Sequence, residues 1–597
     1  MKEKLHNAAY LFAYAWQKHK LSFLTSGAKA LFQAILPLVD IAGVGIVVGA
    51  LTSGADKNRV VQLILFYLCV NLAVALISNL LTLADNNVIR RTSDIVQLDY
   101  MCDCIYINYH YAQDKSILDM KKKSMGAQPT WFLGYVGELF KYIVQFAGIV
   151  FIFASLSPMF IVLILLTSSV SVFMIFRAQK LDFEYKNAWV AEDRKLDYLY
   201  KTMTDYKFAK EVRIAPAGEL IAKKYSDILT FQIHKLAAFV RRNIGINTIR
   251  AIITVAQSAL MYLYFSYQVT EGNIGIAEYT VLLGATTLFV SLLAGFFDKL
   301  ALIDKTLKYT DLFRRYRAFV SENSSISSTN SISMPDIDTK NLTLTFNNVS
   351  FSYPGTDRLI LKNINFTVKS GEKIGIVGLN GSGKTTIIKL LCRLYEPTSG
   401  RILFNGIDIK TMPLAGYSKL IGIVLQDFCL FAYSVRENIV FDTECNEQRL
   451  SDCIGKCGLL AKVESLPRGV DTSIYKTLDD DGVEFSGGEG QKIALARAIY
   501  KDAAILVLDE PSSALDPIAE HELFSKLADI SDGKSTFFIS HRLSSTKFCD
   551  RIFFLSDSMI AERGTHDELM QKAGIYADLF RSQAKYYKEG GDEEFHK

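Results

Sequence analysis

A chain of 597 residues is several times the size of an ordinary domain, so at least two structural units are expected. Half of its residues are hydrophobic and its mean hydropathy is positive, which membrane segments explain and a soluble globular unit does not. A net charge of +4 spread over both signs lacks the concentrated basic surface that neutralises phosphates, so nucleic acid is excluded as a partner.

Residues 1–20 mix Lys2, Lys4, Lys18 and Lys20 with Tyr10, Leu11, Phe12, Tyr14 and Trp16 and show no small-residue cleavage site. The pattern predicts an amphipathic elbow helix lying on the membrane surface rather than a removed signal peptide or a protease domain. Crossing about 30 Å of hydrocarbon takes about 20 apolar residues, and stretches at 22–51, 60–84, 131–155, 158–177, 249–269 and 278–303 qualify. These are six expected transmembrane helices. The connections near Asp56, Pro158 and Glu271 are short. The other two are long and hold Arg90, Arg91, Lys121 to Lys123, Arg177, Arg194, Arg213, Arg241 and Arg242. The positive-inside bias therefore places both termini and both long loops in the cytosol, as in a multi-pass plasma-membrane protein.

The long loops are periodic enough to continue the spans as helices, each turning at its far end, near Ala112 to Met125 and near Lys207 to Glu219, where Pro216 and Gly218 interrupt the pattern. Residues 1–320 thus read as a membrane domain, and 321–339, rich in Ser, Asn and Thr, as a linker. In 340–590 short β-branched strands alternate with helices in an α/β domain, and 591–597 form a tail.

Polar residues inside apolar stretches are costly unless partnered. Asn71, Asn79, Gln145 and Gln257 are expected to make interhelical hydrogen bonds. Glu138 and Lys141 are expected to pair at i, i+3, Asp40, near Pro37, to face a cavity, and Asp298 lies near the end of the last span. The nine Cys residues, among them Cys102, Cys104, Cys453 and Cys457, have no framework spacing and read as reduced thiols.

Gly378-Leu-Asn380-Gly381-Ser382-Gly383-Lys384-Thr385, between a strand-like run ending at Val377 and a helix-like run from Thr386, has the spacing of a phosphate-binding loop. Its glycines let backbone amides wrap phosphates, Lys384 reaches the outer phosphates and Thr385 can ligate magnesium. The buried strand Ile505 to Leu508 ends in Asp509, suited to holding Mg2+, and Glu510, suited to polarising the attacking water.

With these stand further motifs. Ser486-Gly487-Gly488-Glu489-Gly-Gln491 resembles the signature of ATP-binding-cassette (ABC) proteins. In the same family order, Tyr353 resembles the adenine-stacking aromatic and Gln426 the glutamine linking Mg2+ to the membrane domain. Asp516, in Ala514-Leu-Asp516, resembles the loop coupling two cassettes, and His541 the switch histidine at the γ-phosphate. Ser434 to Ile439 and Arg563 to Leu569 are similar to segments of exporter-type cassettes, and Lys210-Glu-Val-Arg213 resembles a coupling helix that touches the opposite cassette.

The resemblance covers nearly the whole chain. It implies a domain-swapped, type IV exporter half-transporter, six spans fused to one α/β P-loop ATPase, binding ATP with Mg2+. It further implies a dimer with a second copy of itself or another half-transporter, since each ATP is sandwiched between the phosphate loop of one cassette and the signature of the other. Glu510, His541, Lys384 and Gln426 would then be catalytic. Tyr353, Gly378, Asn380, Gly381, Ser382, Gly383, Lys384, Thr385, Thr386, Ser486, Gly487, Gly488, Glu489 and Asp516 would contact ATP, and Thr385, Gln426 and Asp509 would serve the metal. The expected activity is ATP-driven export of a drug, lipid, peptide or metabolite from a lipid-embedded dimer. An importer on the same fold is an alternative, as is a nucleotide-gated channel or regulatory subunit, although such channels tend to lose the hydrolytic residues present here. Two departures from the family pattern stand in the signature, Phe485 in place of Leu and Glu489 in place of Gln. The segment Lys476 to Gly482 follows the exporter pattern loosely.

Overall fold

The computed structural model describes residues 2–112, 114–125, 129–154, 173–174, 176–178, 180–182, 184–185, 189–324, 338, 341–511, 533–541 and 543–592. The chain divides into two units, Met1–Ile105 with Ala112–Ser321, and Tyr106–Tyr111 with Glu322–Lys597.

The first unit is helical: α1 Lys2–Lys18, α2 Leu21–Thr52, α3 Lys57–Tyr106, α4 Lys115–Ser124, α5 Pro129–Ala154, α6 Val190–Thr204, α7 Ala209–Ile214, α8 Gly218–Thr270 and α9 Ile276–Glu322. Helices α3, α8 and α9 have 50, 53 and 47 residues. At 1.5 Å per residue each exceeds twice the hydrocarbon thickness, so the spans run on beyond the bilayer as their sequence predicts. Among the described residues five helices are long and apolar enough to cross a membrane. The stretch expected at 158–177 falls largely outside the described residues.

The first long loop reverses earlier than expected. Asp114 accepts amide hydrogens from Ser116 and Ile117 and caps α4, so much of 112–125 is helix and the reversal lies between Tyr106 and Asp114. In the second loop α7 sits between α6 and Pro216, where the sequence placed the turn.

Helix α1, expected to lie on the membrane surface, is docked along one face. Leu11 is fully buried with Phe132 and Leu307, and Tyr14 packs on Phe313. Polar ties reinforce this: Asn7 donates to the Leu307 carbonyl at 3.1 Å and Tyr14 to Asp99 at 2.9 Å. The opposite face keeps Leu5 and Trp16 exposed.

Inside the bundle, Tyr67 (3.0 Å) and Asn71 of α3 both donate to Asp40 of α2, and Gln145 donates to the Gln33 carbonyl at 3.2 Å. Lys141 pairs with Glu138, and Arg250 lies 3.8 Å from Asp298. Asp85, which the sequence reading passed over, is 1% exposed and accepts from Thr25, Ser26 and Lys29.

The second unit holds two sheets. One is antiparallel, with β1 Thr343–Ser352, β2 Leu359–Lys369, β4 Ser399–Phe404 and β5 Ile407–Asp408 in the order β2-β1-β4-β5. The other contains β3 Lys373–Gly378, β6 Ile421–Val424, β7 Ile505–Asp509, β8 Ser535–Ile539, β9 Arg551–Ser556 and β10 Met559–Gly564, in the order β10-β9-β3-β8-β7-β6. All its pairings are parallel except β10 with β9. Burial on both faces explains the continuous apolar runs Ile505–Leu508 and Phe537–Ile539. Since β8 lies between β3 and β7, the carboxyl ends of three neighbouring strands converge, and that edge is where an α/β sheet presents its ligand site.

A candidate nucleotide site

The phosphate loop leaves β3 at Gly378 and enters helix α10, Lys384–Leu391, at Gly383. Gly383 has φ +103°, and a side chain there would meet Leu361 at 2.6 Å. At Gly378 it would meet the Leu555 carbonyl at 2.4 Å. Only glycine fits either position. Lys384 is buried and donates to the carbonyls of Gly378 (2.8 Å) and Leu379 (3.1 Å), which aims its ammonium into the loop. Burial pulls its pKa down, while the charges of Glu510 and Asp509 oppose that. Gly381, Asn380 and Thr385 are exposed and Ser382 and Thr386 buried.

Two carboxylates lie at the end of β7. Asp509 is 1% exposed, and neither of its oxygens has a hydrogen-bond partner among the described residues; the Ser382 hydroxyl is in the same position. Burial, with the Glu510 charge adding, pushes Asp509 up to about 6. A buried carboxylate with unused oxygens beside a phosphate loop suits a divalent cation. Mg2+ asks for one or two carboxylates plus phosphate oxygens rather than a full protein cage, so the residues present fit it.

Glu510 has φ +52°, a left-handed conformation uncommon outside glycine, fixed by its amide donating to the Ile539 carbonyl at 3.0 Å. That turn aims its carboxylate at two of the expected partners: Gln426 donates to Oε2 at 2.8 Å, and His541 Nε2 meets Oε1. Three side chains from three strand ends therefore meet at one carboxylate. Gln491, buried in the helix that follows Ser486, also donates to the Glu510 carbonyl at 3.0 Å, a tie that spacing alone did not reveal.

Tyr353 stands at the loop's edge, its hydroxyl 3.1 Å from that of Thr386, with Lys389 over its ring and Tyr395 edge-on at 5.2 Å. Tyr395 was not anticipated. It also contacts Tyr109 and His110 of the segment Tyr106–Tyr111.

With α11 Leu414–Lys419, α12 Val435–Val440, α13 Glu447–Lys456 and α14 Leu460–Glu464 before it, α15 is Gly487–Tyr500. Ser486 caps it through a reciprocal pair with Glu489, whose carboxylate accepts from the Ser486 amide at 2.8 Å. Ser486 and Gly487 are exposed at the start of this 14-residue helix. Asp516 lies outside the described residues.

A phosphate loop, a Mg2+-suited aspartate, a glutamate gripped by Gln426 and His541, and a signature helix together define a nucleotide-binding cassette fused to a helical membrane region. Residues 361–513 match the family described as ABC transporter. An "ATP-dependent lipid A-core flippase" of Ralstonia nicotianae is 41% identical over 244 residues, 40% of this chain and 40% of that protein. "ABC transporter B family member 6" of Dictyostelium discoideum is 40% identical over 246 residues, 40% of this chain and 36% of that one. The matched segment spans about two fifths of these relatives' length. A solved structure titled "Structure of a bacterial Atm1-family ABC exporter with ATP bound" superposes with a TM-score of 0.81 at 21% identity, covering 95% of this chain and 98% of that one. The chain therefore has the fold of an ABC exporter half-transporter.

Proposed function

We propose that this chain is an ATP-hydrolysing exporter subunit that works as a dimer, with ATP bound between the phosphate loop of one copy and the signature of the other. The observation that carries the reading is the Glu510 carboxylate held between Gln426 and His541, beside Asp509, whose oxygens have no hydrogen-bond partner among the described residues. A carboxylate so placed takes the role of orienting the attacking water, and His541 that of sensing the γ-phosphate. Thr385 and Asp509 would hold Mg2+, with Gln426 at its edge, and the bound ion would neutralise charge on the phosphates. Tyr353 would stack on adenine. Lys384 and the amides of Asn380, Gly381, Ser382, Gly383 and Thr386 would hold the phosphates. Ser486, Gly487, Gly488 and Glu489 would face them from the other copy, with Asp516 linking the cassettes. Retention of the full hydrolytic set favours this reading over a nucleotide-gated channel.

The relatives' names differ in cargo, one a lipid A-core flippase and another, from Bacillus subtilis, a "Probable multidrug resistance ABC transporter ATP-binding/permease protein", so the drug, lipid, peptide or metabolite classes all stay open for this chain. The cytosolic placement of the termini rests on the charge bias of the loops. The exposed α7, with Arg213 and Ile214 turned outward, would be the contact to the partner's cassette. The test is to purify the chain alone, insert it in vesicles and follow ATP hydrolysis with transport in both orientations. Hydrolysis coupled to movement away from the cassette side is expected. Movement toward it would make the chain an importer.

A further inference from the structure

The two departures of the signature from the ABC pattern, Phe485 and Glu489, share one neighbour. Lys462 of α14 places its ammonium 3.1 Å from Glu489 Oε1 and 5.5 Å from the centre of the Phe485 ring. The other oxygen, Oε2, is already committed to the Ser486 amide in the helix cap. The carboxylate is thus shared between the cap that shapes the signature and a cation from another helix. All of these groups are partly buried, with side-chain exposure of 32% for Lys462 and 28% for Glu489, so salt screens the pair incompletely.

We propose that Lys462 is a positioning residue for the signature, one that fixes the Glu489 carboxylate in the cap and cancels a negative charge standing where a nucleotide phosphate docks. The proposal rests on the reading that the signature faces ATP. A glutamate at this position brings a cost that a neutral side chain would not, because like charges repel across the short distance between a helix N-terminus and its anion. Lys462, paired with the Glu489 carboxylate, offsets that cost. Its ammonium lies over Phe485, which helps to hold the cation in place.

The test is a double-mutant cycle in the full-length protein, with ATPase rate and equilibrium ATP affinity as readouts. Lys462→Met should lower kcat about threefold to fivefold, the scale of a partly exposed ion pair, with ATP affinity at the phosphate loop unchanged. Lys462→Arg should retain most of the rate. In a Glu489→Gln background, adding Lys462→Met should have no further effect, which a general packing role for Lys462 would not produce. Equal rates for Lys462→Met and wild type, or an undiminished loss in the Glu489→Gln background, would overturn the proposal. Ser486→Arg separates the two readings. If it abolishes hydrolysis while Lys462→Met is silent, only the proposal fails. If Ser486→Arg hydrolyses ATP normally, the signature does not face nucleotide and both fall.

Discussion

Glu510 combines a left-handed backbone with two side-chain partners on its carboxylate, an arrangement that costs roughly 1–3 kcal/mol of strain and persists because β8 pins its amide. Glu510→Gln keeps the shape and removes the charge that the proposed function assigns to orienting water, so turnover should fall by at least about a hundredfold while ATP still binds. Phosphate release and nucleotide affinity on one sample check this, and turnover near the wild-type rate would remove the role given to Glu510. Lys384, in the proposed function, acts differently, as a point charge on the outer phosphates. Its replacement by Ala should weaken ATP binding itself, roughly tenfold to a hundredfold for a lost charge-assisted hydrogen bond. Unchanged affinity in equilibrium titration would contradict it.

At the scale of elements, the helices are joined by polar clasps that carry real stability. Asp85 is buried between α2 and α3 and receives Lys29 at 3.0 Å together with the hydroxyls of Thr25 and Ser26. Asp85→Ala leaves Lys29 uncompensated, and breaking such a pair costs roughly 3–5 kcal/mol, so the melting temperature in detergent should drop by several degrees. Asp85→Asn keeps part of the hydrogen bonding and should lose less; equal, negligible shifts would show that the clasp contributes nothing. This clasp also marks the limit of what the sequence made legible. The phosphate loop and the Asp509-Glu510 strand end could be read because each is contiguous, with its chemistry written in local spacing. Asp85 could not, since it falls one residue past an apolar stretch and its three partners lie about 60 positions away. The same holds for Lys462, which means nothing until α14 is folded against the signature, and for Asp114, whose capping moved the first turn. Glu138 with Lys141 was legible because i, i+3 neighbours on a helix need no tertiary knowledge.

For the whole molecule, the question is how one cassette makes a complete site. The phosphate loop, Asp509, Glu510, Gln426 and His541 gather at one strand edge, while Ser486 and Gly487 stand exposed at the start of α15. On the proposed function both halves of an ATP sandwich are present in a single chain, so two copies should form two equivalent composite sites. Mixing two crippled chains tests this without assuming any cargo. Lys384→Ala disables the phosphate loop and Ser486→Arg the signature, and in either homodimer both sites contain the defect. In a mixed dimer one site collects both defects and the other collects none. Random pairing makes about half of the dimers mixed, so about a quarter of all sites are intact and about a quarter of the wild-type hydrolysis should return, since rates follow the number of competent sites. Recovery of that size, with mixed dimers confirmed by differential tags, supports a homodimer with sites shared across the interface. No recovery in a confirmed mixed dimer would show that the two halves of the site do not meet between copies of this chain, and that the working partner is a different half-transporter.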